Sequence, residues 1–508
     1  MAAHYVRLAV ALASIDALVY TPPRNISMYD AWLYVDDGAF TAYYLAKPAN
    51  ASGSGAKPAW DRVMTITSDD GATWSDAGVA VAKAPGAKWL GSGSVWRTGD
   101  AFVLSYSQEG YGCAGDPGGG PTGDPTWCQS LFFATAPTPR GPWTTTPAGA
   151  FPYGEGYEIG GRWDCVAALR DGDGGVYGYW TASPRDGGCD SCGAGFGYSK
   201  DGVTWAARPT PGPEIKGEVG GVARAGGRVV MLFDAGRAFW SDAPAGPFAA
   251  AALNPSFLGQ ALGARFPRIW GSDVTGGPLL ATHHQMTGPD CSGDGGLECP
   301  VYLGLVKRAT LGADGGLRAT WFEGNDNLRG EELARVADAD LDRGLWLEGT
   351  LGAGGGFAVG LAGGGGDAAV VVLANGSFAL GLTRNGAWTA PPHVVDRSLA
   401  PPSNATWRAL VRNSATGFGM LEAYVGGVLA LPWTLPGPAA PRAAPAAALA
   451  KRVDAPARPS AVPQGKDANS KTTQGRPRAA SGASSAATAA RRRASRAAGV
   501  SVASHGDL

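Results

Sequence analysis

No run of about 20 apolar residues occurs anywhere in the 508-residue sequence, so nothing in it is written to span a membrane as a helix. Apolar heptads are missing as well. Gly or Pro interrupts nearly every window of about 15 residues, which excludes long helices as the dominant element. Charged side chains are scarce, at 17%. Residues 1–435 hold 30 Lys and Arg against 40 Asp and Glu, an acidic balance that argues against nucleic acid as a partner. The segment 436–508 reverses the sign, with 12 basic residues against 3 Asp, and it has no aromatic residue. Its Ala/Pro/Ser/Arg-rich composition cannot bury enough apolar surface to offset the entropy of ordering, so it is expected to be a disordered basic tail.

Cysteine is sparse but patterned. Six of the seven fall into three close pairs, 113/128, 189/192 and 291/299, in Gly/Pro/Asp-rich stretches, and Cys165 stands apart. None of these stretches pairs two Cys-x-x-Cys units or adds a nearby His pair, except that His283 and His284 precede Cys291, so local disulfides and an oxidising, secreted or lumenal compartment are the expectation over a zinc site. Four Asn-x-Ser/Thr sites, at Asn25, Asn50, Asn375 and Asn404, fit that reading. At the N-terminus, Val6–Ala17 is an apolar stretch apart from Arg7, Ser14 and Asp16, and reads as a weak signal peptide or a first strand within an N-terminal segment 1–27.

What the chain has in excess is glycine, 79 residues, with short alternating apolar runs between Asp-Gly and Gly-Asp turns. Ser68-Asp69-Asp70-Gly71-Ala72-Thr73-Trp74 returns as Ser199-Lys200-Asp201-Gly202-Val203-Thr204-Trp205. Looser versions turning on Gly-Pro lie at 136–143 and 241–248. Repeated units of about 40 to 70 residues, each a set of short strands, predict a β-propeller. A fifth unit fits 266–321, giving five blades over 28–328. From 329 to 435 the strands are regular and the turn signature is absent, as expected of a β-sandwich. The fold class is therefore all-β: a five-bladed propeller, a sandwich and a tail.

A propeller gathers the first strand of each blade around its axis, where an acid among apolar residues stands out. Asp30, Asp164 and Glu218 each sit in such a segment, each eight residues before the glycine of the first hairpin turn, Gly38, Gly172 and Gly226. The shared offset places three carboxylates at one height on three inner strands, meeting at one mouth of the channel. Clustered carboxylates divide into acid and base roles, which suits glycosidic bond cleavage. Asp69, Asp70, Asp201 and Asp242 belong instead to turns, where Asp is favoured locally. Trp32, Trp89 and Trp163 lie next to the acids or near the mouth, and their faces could stack on sugar rings. Arg162 and Arg268 could fix substrate hydroxyls or hold the acids ionised, with Arg162 the closer neighbour. His283 and His284 end an inner segment of blade five, as hydrogen-bonded structural residues or as cation ligands.

Three acids opening blades one, three and four, followed by a sandwich, resemble glycoside hydrolase family 32, whose wider relatives are families 43, 62 and 68. The resemblance covers about 28–435. It implies Asp30 as nucleophile, Asp164 as transition-state stabiliser and Glu218 as acid/base, in a retaining reaction on fructosides that uses no cofactor and no metal. Trp89-Leu90-Gly91-Ser92-Gly93-Ser94 resembles that family's aromatic-Ser-Gly-Ser segment, and Gln129-Ser130-Leu131-Phe132-Phe133-Ala134 its Gln strand, which implies sugar contacts at Ser92 and Gln129. Leu421-Glu422-Ala423-Tyr424-Val425 resembles a sandwich strand of the family. The motif neighbours differ: Ala31 and Trp32 follow Asp30, Trp163 separates Arg162 from Asp164, Cys165 follows it, and Val219 follows Glu218. An inverting arabinanase- or xylosidase-like hydrolase and a non-catalytic carbohydrate-binding propeller are the two other readings.

Overall fold

The structure is a computed structural model. It describes the strands named below with their short turns, between Ala9 and Pro445. Residues 446–508 lie outside the described residues, as do several longer loops, among them 49–59, 110–128, 185–192 and 287–300. The three cysteine pairs fall in that remainder, and so does the tail beyond Pro445. Cys165, the one cysteine among the described residues, is a free, buried thiol. Among the described residues no helix is long and apolar enough to cross a membrane.

Five antiparallel units follow one another along the chain. Blade one is Ile26–Asp36, Ala39–Pro48, Arg62–Ser68 and Ser75–Ala82. Blade two opens with a broken inner strand, Trp89–Gly91 and Val95–Thr98, both paired to Ala101–Glu109, and goes on through Gln129–Ala136 to Thr144–Thr145. Blades three and four start at Trp163–Arg170 and Val219–Ala225, and each has four strands in sequence order. Blade five runs from Ala264–Gly271 through Leu279–Met286 and Lys307–Leu311 to Leu317–Trp321.

The ring is held by apolar layers between neighbouring blades. Trp32, Tyr34 and Tyr43 pack on Leu90, Val95 and Phe102 between blades one and two. Trp96 and Phe133 meet Trp163 and Trp180 between blades two and three. Tyr179 and Phe196 meet Val222 and Met231 between three and four, and Val230 and Leu232 meet Ile269 and Ala281 between four and five. Leu33 and Phe40 close the circle on Leu280 and Val306 of blade five. Alternation on each strand feeds both neighbours, the period-2 pattern of a sheet buried on two faces.

The repeated turns lock each blade at its rim. Asp201 accepts the backbone N–H groups of Val203 (2.9 Å) and Thr204 (2.6 Å) and the Ser199 hydroxyl (2.9 Å); Asp70 does the same for Ala72, Thr73 and Ser68. These turns occur in blades one and three, the Gly-Pro turns in blades two and four. A tyrosine of each Asp-turn blade reaches the next blade's Gly-Pro turn: Tyr43 donates to the Pro139 carbonyl and Tyr179 to that of Pro244.

The outer strand of blade five continues into the sandwich, Thr320 facing Val428. That sheet runs on through Val428–Thr434, Gly419–Val425, Ala405–Asn413, Leu345–Leu351, Ala9–Leu12 and Glu331–Leu333, opposite a second sheet built on Gly356–Leu361, Asp367–Ala374 and Ser377–Arg384. The N-terminal stretch takes the first-strand reading, and the C-terminal boundary lies beyond the expected one. The apolar N-terminal stretch supplies a strand, with Val10 opposite Leu333 and Leu347. At the other end Ala439–Pro445 pairs with Gly356–Leu361, past the expected limit at 435. An edge strand tolerates Pro because one row of its N–H groups needs no partner, and its small residues leave no alternation to read.

Where propeller and sandwich meet, the fully buried Lys307 lies 2.9 Å from Glu422, which also accepts from Tyr424 (2.8 Å). Burial lowers the Lys307 pKa, and the Glu422 charge opposes that shift. Removing one partner of a buried pair leaves an uncompensated charge. Glu422→Ala is therefore expected to lower unfolding free energy by about 3–5 kcal/mol in urea titrations. Asp201→Ala should cost about 1 kcal/mol through its lost hydrogen bonds, a small figure because the residue is exposed. Its turn bonds overcome the upward push of burial and hold the Asp201 carboxyl at about 2. The stability deficit of Asp201→Ala should thus be constant above about pH 4 and shrink as pH falls from there toward about 2 in thermal scans.

Candidate active site

Each inner strand except that of blade two carries a β-bulge at the same level. The registers slip between Tyr29 and Ala31, Asp164 and Ala167, Val219 and Gly221, and Arg265 and Arg268. Three non-glycine residues at these bulges take left-handed backbone angles: Asp30 (φ 37°), Cys165 (φ 57°) and Phe266 (φ 45°). In blade four Gly221 takes the strained position at φ 151°, where a β-carbon would strike the Ile269 backbone. A bulge re-aims a side chain out of the ladder. The bulges hold Asp30 and Asp164, and Glu218 sits immediately before the blade-four strand that carries its own. Blade two reaches the same level with its broken strand, whose gap is Ser92-Gly93-Ser94.

The three acids do converge. Asp30 and Asp164 are buried, while the Glu218 side chain keeps 20% of its surface. One carboxylate oxygen of Asp30, one of Glu218 and the Cys165 sulfur all lie within 4.8 Å of one another. Arg268 grips Asp30 with two bonds, Nε to Oδ1 at 3.1 Å and Nη2 to Oδ2 at 2.6 Å. It also donates to Ser92 Oγ (3.0 Å), to the Val219 carbonyl (2.6 Å) and to the Cys165 sulfur (3.6 Å), so one guanidinium on blade five reaches the other four blades. Arg162 bridges the other two acids, 3.0 Å from Asp164 Oδ2 and 2.8 Å from Glu218 Oε1. Asp164 Oδ1 accepts from Ser107 (2.6 Å) and from the Cys165 backbone N–H (2.8 Å).

Burial works against the charge on both arginines, but the carboxylates outweigh it. Glu218 and Asp164 raise the pKa of Arg162, and Asp30 raises that of Arg268. Burial first, then the charges of Asp164 and Glu218, pushes the Cys165 thiol up and keeps it protonated. Asp30, Cys165 and Glu218 have the spacing of a cation's ligands, but the two guanidiniums already occupy the carboxylates and supply the positive charge.

The other expected contacts divide. Ser92 is in the cluster, bracing Arg268 and Cys165 (3.1 Å). Trp89 stays half-buried at the rim; a β-carbon on Gly91 would meet its ring, Ser107 Oγ and Asp164 Oδ1, so Trp89 and Asp164 face the same small space. Gln129 is fully buried behind Asp164, donating to Ser107 (3.0 Å) and accepting from the Trp163 N–H, and is a support rather than a surface for substrate. Trp32 and Trp163 are corrections. The inner-strand alternation sends both sideways between blades, Trp32 onto Tyr43 and Trp163 onto Phe151, Tyr157 and Trp180. His283 is buried away from the acids, beside Lys307 (3.3 Å) and Glu422; the side chain of His284 lies outside the described residues.

Sequence reasoning ranked Arg268 behind Arg162 and passed over Ser107 and Cys165. Arg268 carries the same signal as the acids, a charge inside an apolar inner strand. Tyr29 and Phe266 were also missed. Both are half-buried beside Asp30, Tyr29 stacked on Trp60 and Phe266 against its edge. Deeper along the axis, Leu33, Val166, Gly221 and Ile269 line a cavity of about 50 Å³, room for a few waters.

A propeller with three carboxylates held by two guanidiniums at one mouth, joined to a sandwich, is the class this chain defines. Among solved structures it resembles a Bombyx mori GH32 β-fructofuranosidase, 13% identical over 84% of this chain and 89% of that one, with a TM-score of 0.59. It also resembles the sucrose-6-phosphate hydrolase of Lactobacillus gasseri, 15% identical over 84% and 87%, TM-score 0.58. A third is fructan 1-exohydrolase IIa of Cichorium intybus, 13% identical over 82% and 91%, TM-score 0.59. No family model and no curated protein sequence matches the chain. The chain thus shares the propeller-plus-sandwich architecture of these structures at 13–15% identity.

The two arginines differ in burial, 6% exposure for the Arg268 side chain against 27% for Arg162. Arg268→Met should cost about 3–5 kcal/mol in chemical denaturation because Asp30 is left buried and unpaired. Arg162→Met should cost clearly less, since water reaches Glu218.

Proposed function

We propose that the protein is a retaining glycoside hydrolase acting on fructosides. The observation that carries this reading is the separation of Asp30 and Glu218, with carboxylate oxygens within 4.8 Å. Retaining enzymes hold their two carboxyl groups about 5–5.5 Å apart, and inverting ones leave about 6.5–9.5 Å for a water. In this reading Asp30 attacks the anomeric carbon. Arg268 fills one lone-pair direction on each of its oxygens, and a carboxylate has about four, so a reactive direction remains. Glu218, the acid most open to solvent, protonates the leaving oxygen and then removes a proton from the attacking water. Asp164, fixed by Ser107, Arg162 and the Cys165 N–H, holds sugar hydroxyls beside the developing oxocarbenium. Tyr29, Phe266 and Trp89 offer ring surface for the sugar.

The clamp of Arg268 on Asp30, with both side chains 6% exposed, favours a second reading, a carbohydrate-binding propeller without catalysis. One experiment separates the two. The protein is incubated with sucrose, short fructans and aryl fructofuranosides, xylosides and arabinofuranosides, with Glu218→Gln beside it. The expected result is turnover of a fructoside, methanolysis with retained anomeric configuration, and a rate reduced by about 10²–10⁴ in Glu218→Gln. Binding without turnover would replace this reading with the second one. Inverted products would move the chain to an inverting, pentosidase-like mechanism.

A further inference from the structure

Cys165 occupies a place in the cluster that none of the roles above uses. Its sulfur is 3.7 Å from Glu218 Oε2, 3.6 Å from Arg268 Nη2 and 3.1 Å from Ser92 Oγ. The residue is 1% exposed, and its backbone N–H holds Asp164. Its φ of 57° shows that the chain holds an unfavourable backbone angle for a non-glycine residue at this point. A glycine would relieve the strain, and the side chain would then be lost from the centre of the site.

We infer that Cys165 is a positioning residue: its thiol joins Arg268, the partner of Asp30, to Glu218, and so sets the orientation of both reacting carboxylates. The geometry gives the thiol a donor's and an acceptor's work at once. Arg268 Nη2 donates to the sulfur, and the S–H donates to Glu218 Oε2. Nη2 is also the nitrogen 2.6 Å from Asp30 Oδ2, so the chain of contacts runs from Asp30 through Arg268 and Cys165 to Glu218. Ser92 fixes the sulfur from the side of blade two. The charged groups that face Glu218 and the thiol are Asp30, Asp164, Arg162 and Arg268, and none of the other three bonds of Arg268 reaches Glu218.

This inference rests on Glu218 as the acid/base, and its test keeps the two apart. Cys165→Ala and Cys165→Gly both remove the thiol, and Gly suits φ 57° and cannot fail for backbone reasons. Cys165→Ser restores a donor. On whichever fructoside the wild-type chain turns over, Ala and Gly are each expected to lose about tenfold in kcat, with KM within about twofold. Both variants lose the S–H bond to the Glu218 carboxylate. The alkaline limb of the rate profile should therefore move up in Ala and Gly. The Ser variant should recover most of the rate and return the limb toward the wild-type position. Wild-type kcat and an unmoved alkaline limb in the folded Gly variant would overturn the inference and leave the glycosidase reading standing. No turnover by the wild-type chain on any substrate would overturn both.

Discussion

Three carboxylates cannot share a buried point on a propeller axis unless positive charge comes with them, and the rest of the site follows from that constraint. Mutual repulsion in a weakly screened interior would either protonate the acids or spread the blades. Two guanidiniums resolve it with a division of labour. Arg268 is buried, serves Asp30 with both arms and reaches three other blades. Arg162 is nearer solvent and lies between Asp164 and Glu218. The deeper acid is held in one geometry, while the outer one retains access to water. That asymmetry is what a nucleophile and a proton-exchanging group require of their surroundings.

The architecture was legible because it repeats. Asp70 and Asp201 turn the chain with the same three local bonds, and such chemistry is written in adjacent residues. The three acids were legible for a related reason: their common offset from Gly38, Gly172 and Gly226 picks out the start of each inner strand, with Asp30 and Asp164 inside it and Glu218 immediately before it. The bulges were not legible. Nothing about Tyr29-Asp30-Ala31 or Asp164-Cys165-Val166 announces an unpaired residue with positive φ, since the strain is imposed by the ring and not by local preference. Without the bulge, alternation cannot say which neighbours of an acid face the axis. Trp32 and Trp163 were therefore placed at the mouth, although they belong to the packing between blades, and Cys165 was overlooked between two more conspicuous residues.

The strained positions also mark where stability is given up for geometry. Asp30, Cys165 and Phe266 occupy the same level on three strands, and Gly220 and Gly221 take it on the fourth, where the blade-five backbone leaves no room for a β-carbon. Backbone angles of this kind cost about 1–3 kcal/mol each and persist only where surrounding contacts over-determine them. Here the over-determination comes from the interblade layers, rich in Trp, Tyr and Phe, which clamp each inner strand from both sides.

Blade five is unlike the others in that its outer strand runs on into the sandwich sheet. Its last strand meets Val428–Thr434 at Thr320, and the counter-charge of its buried Lys307 is lent by Glu422 of Gly419–Val425. The same blade carries Arg268. Propeller and sandwich are consequently poor candidates for independent inheritance. A recombination that exchanged the sandwich would have to bring a strand in the right register and, on the strand beside it, an acid in the place of Glu422. Otherwise it would expose a pairing edge and strand a cation one layer away from the residue that steadies Asp30. The join is where this fold is least able to be cut and reassembled, although the chain reads there as if one module had simply been set after another.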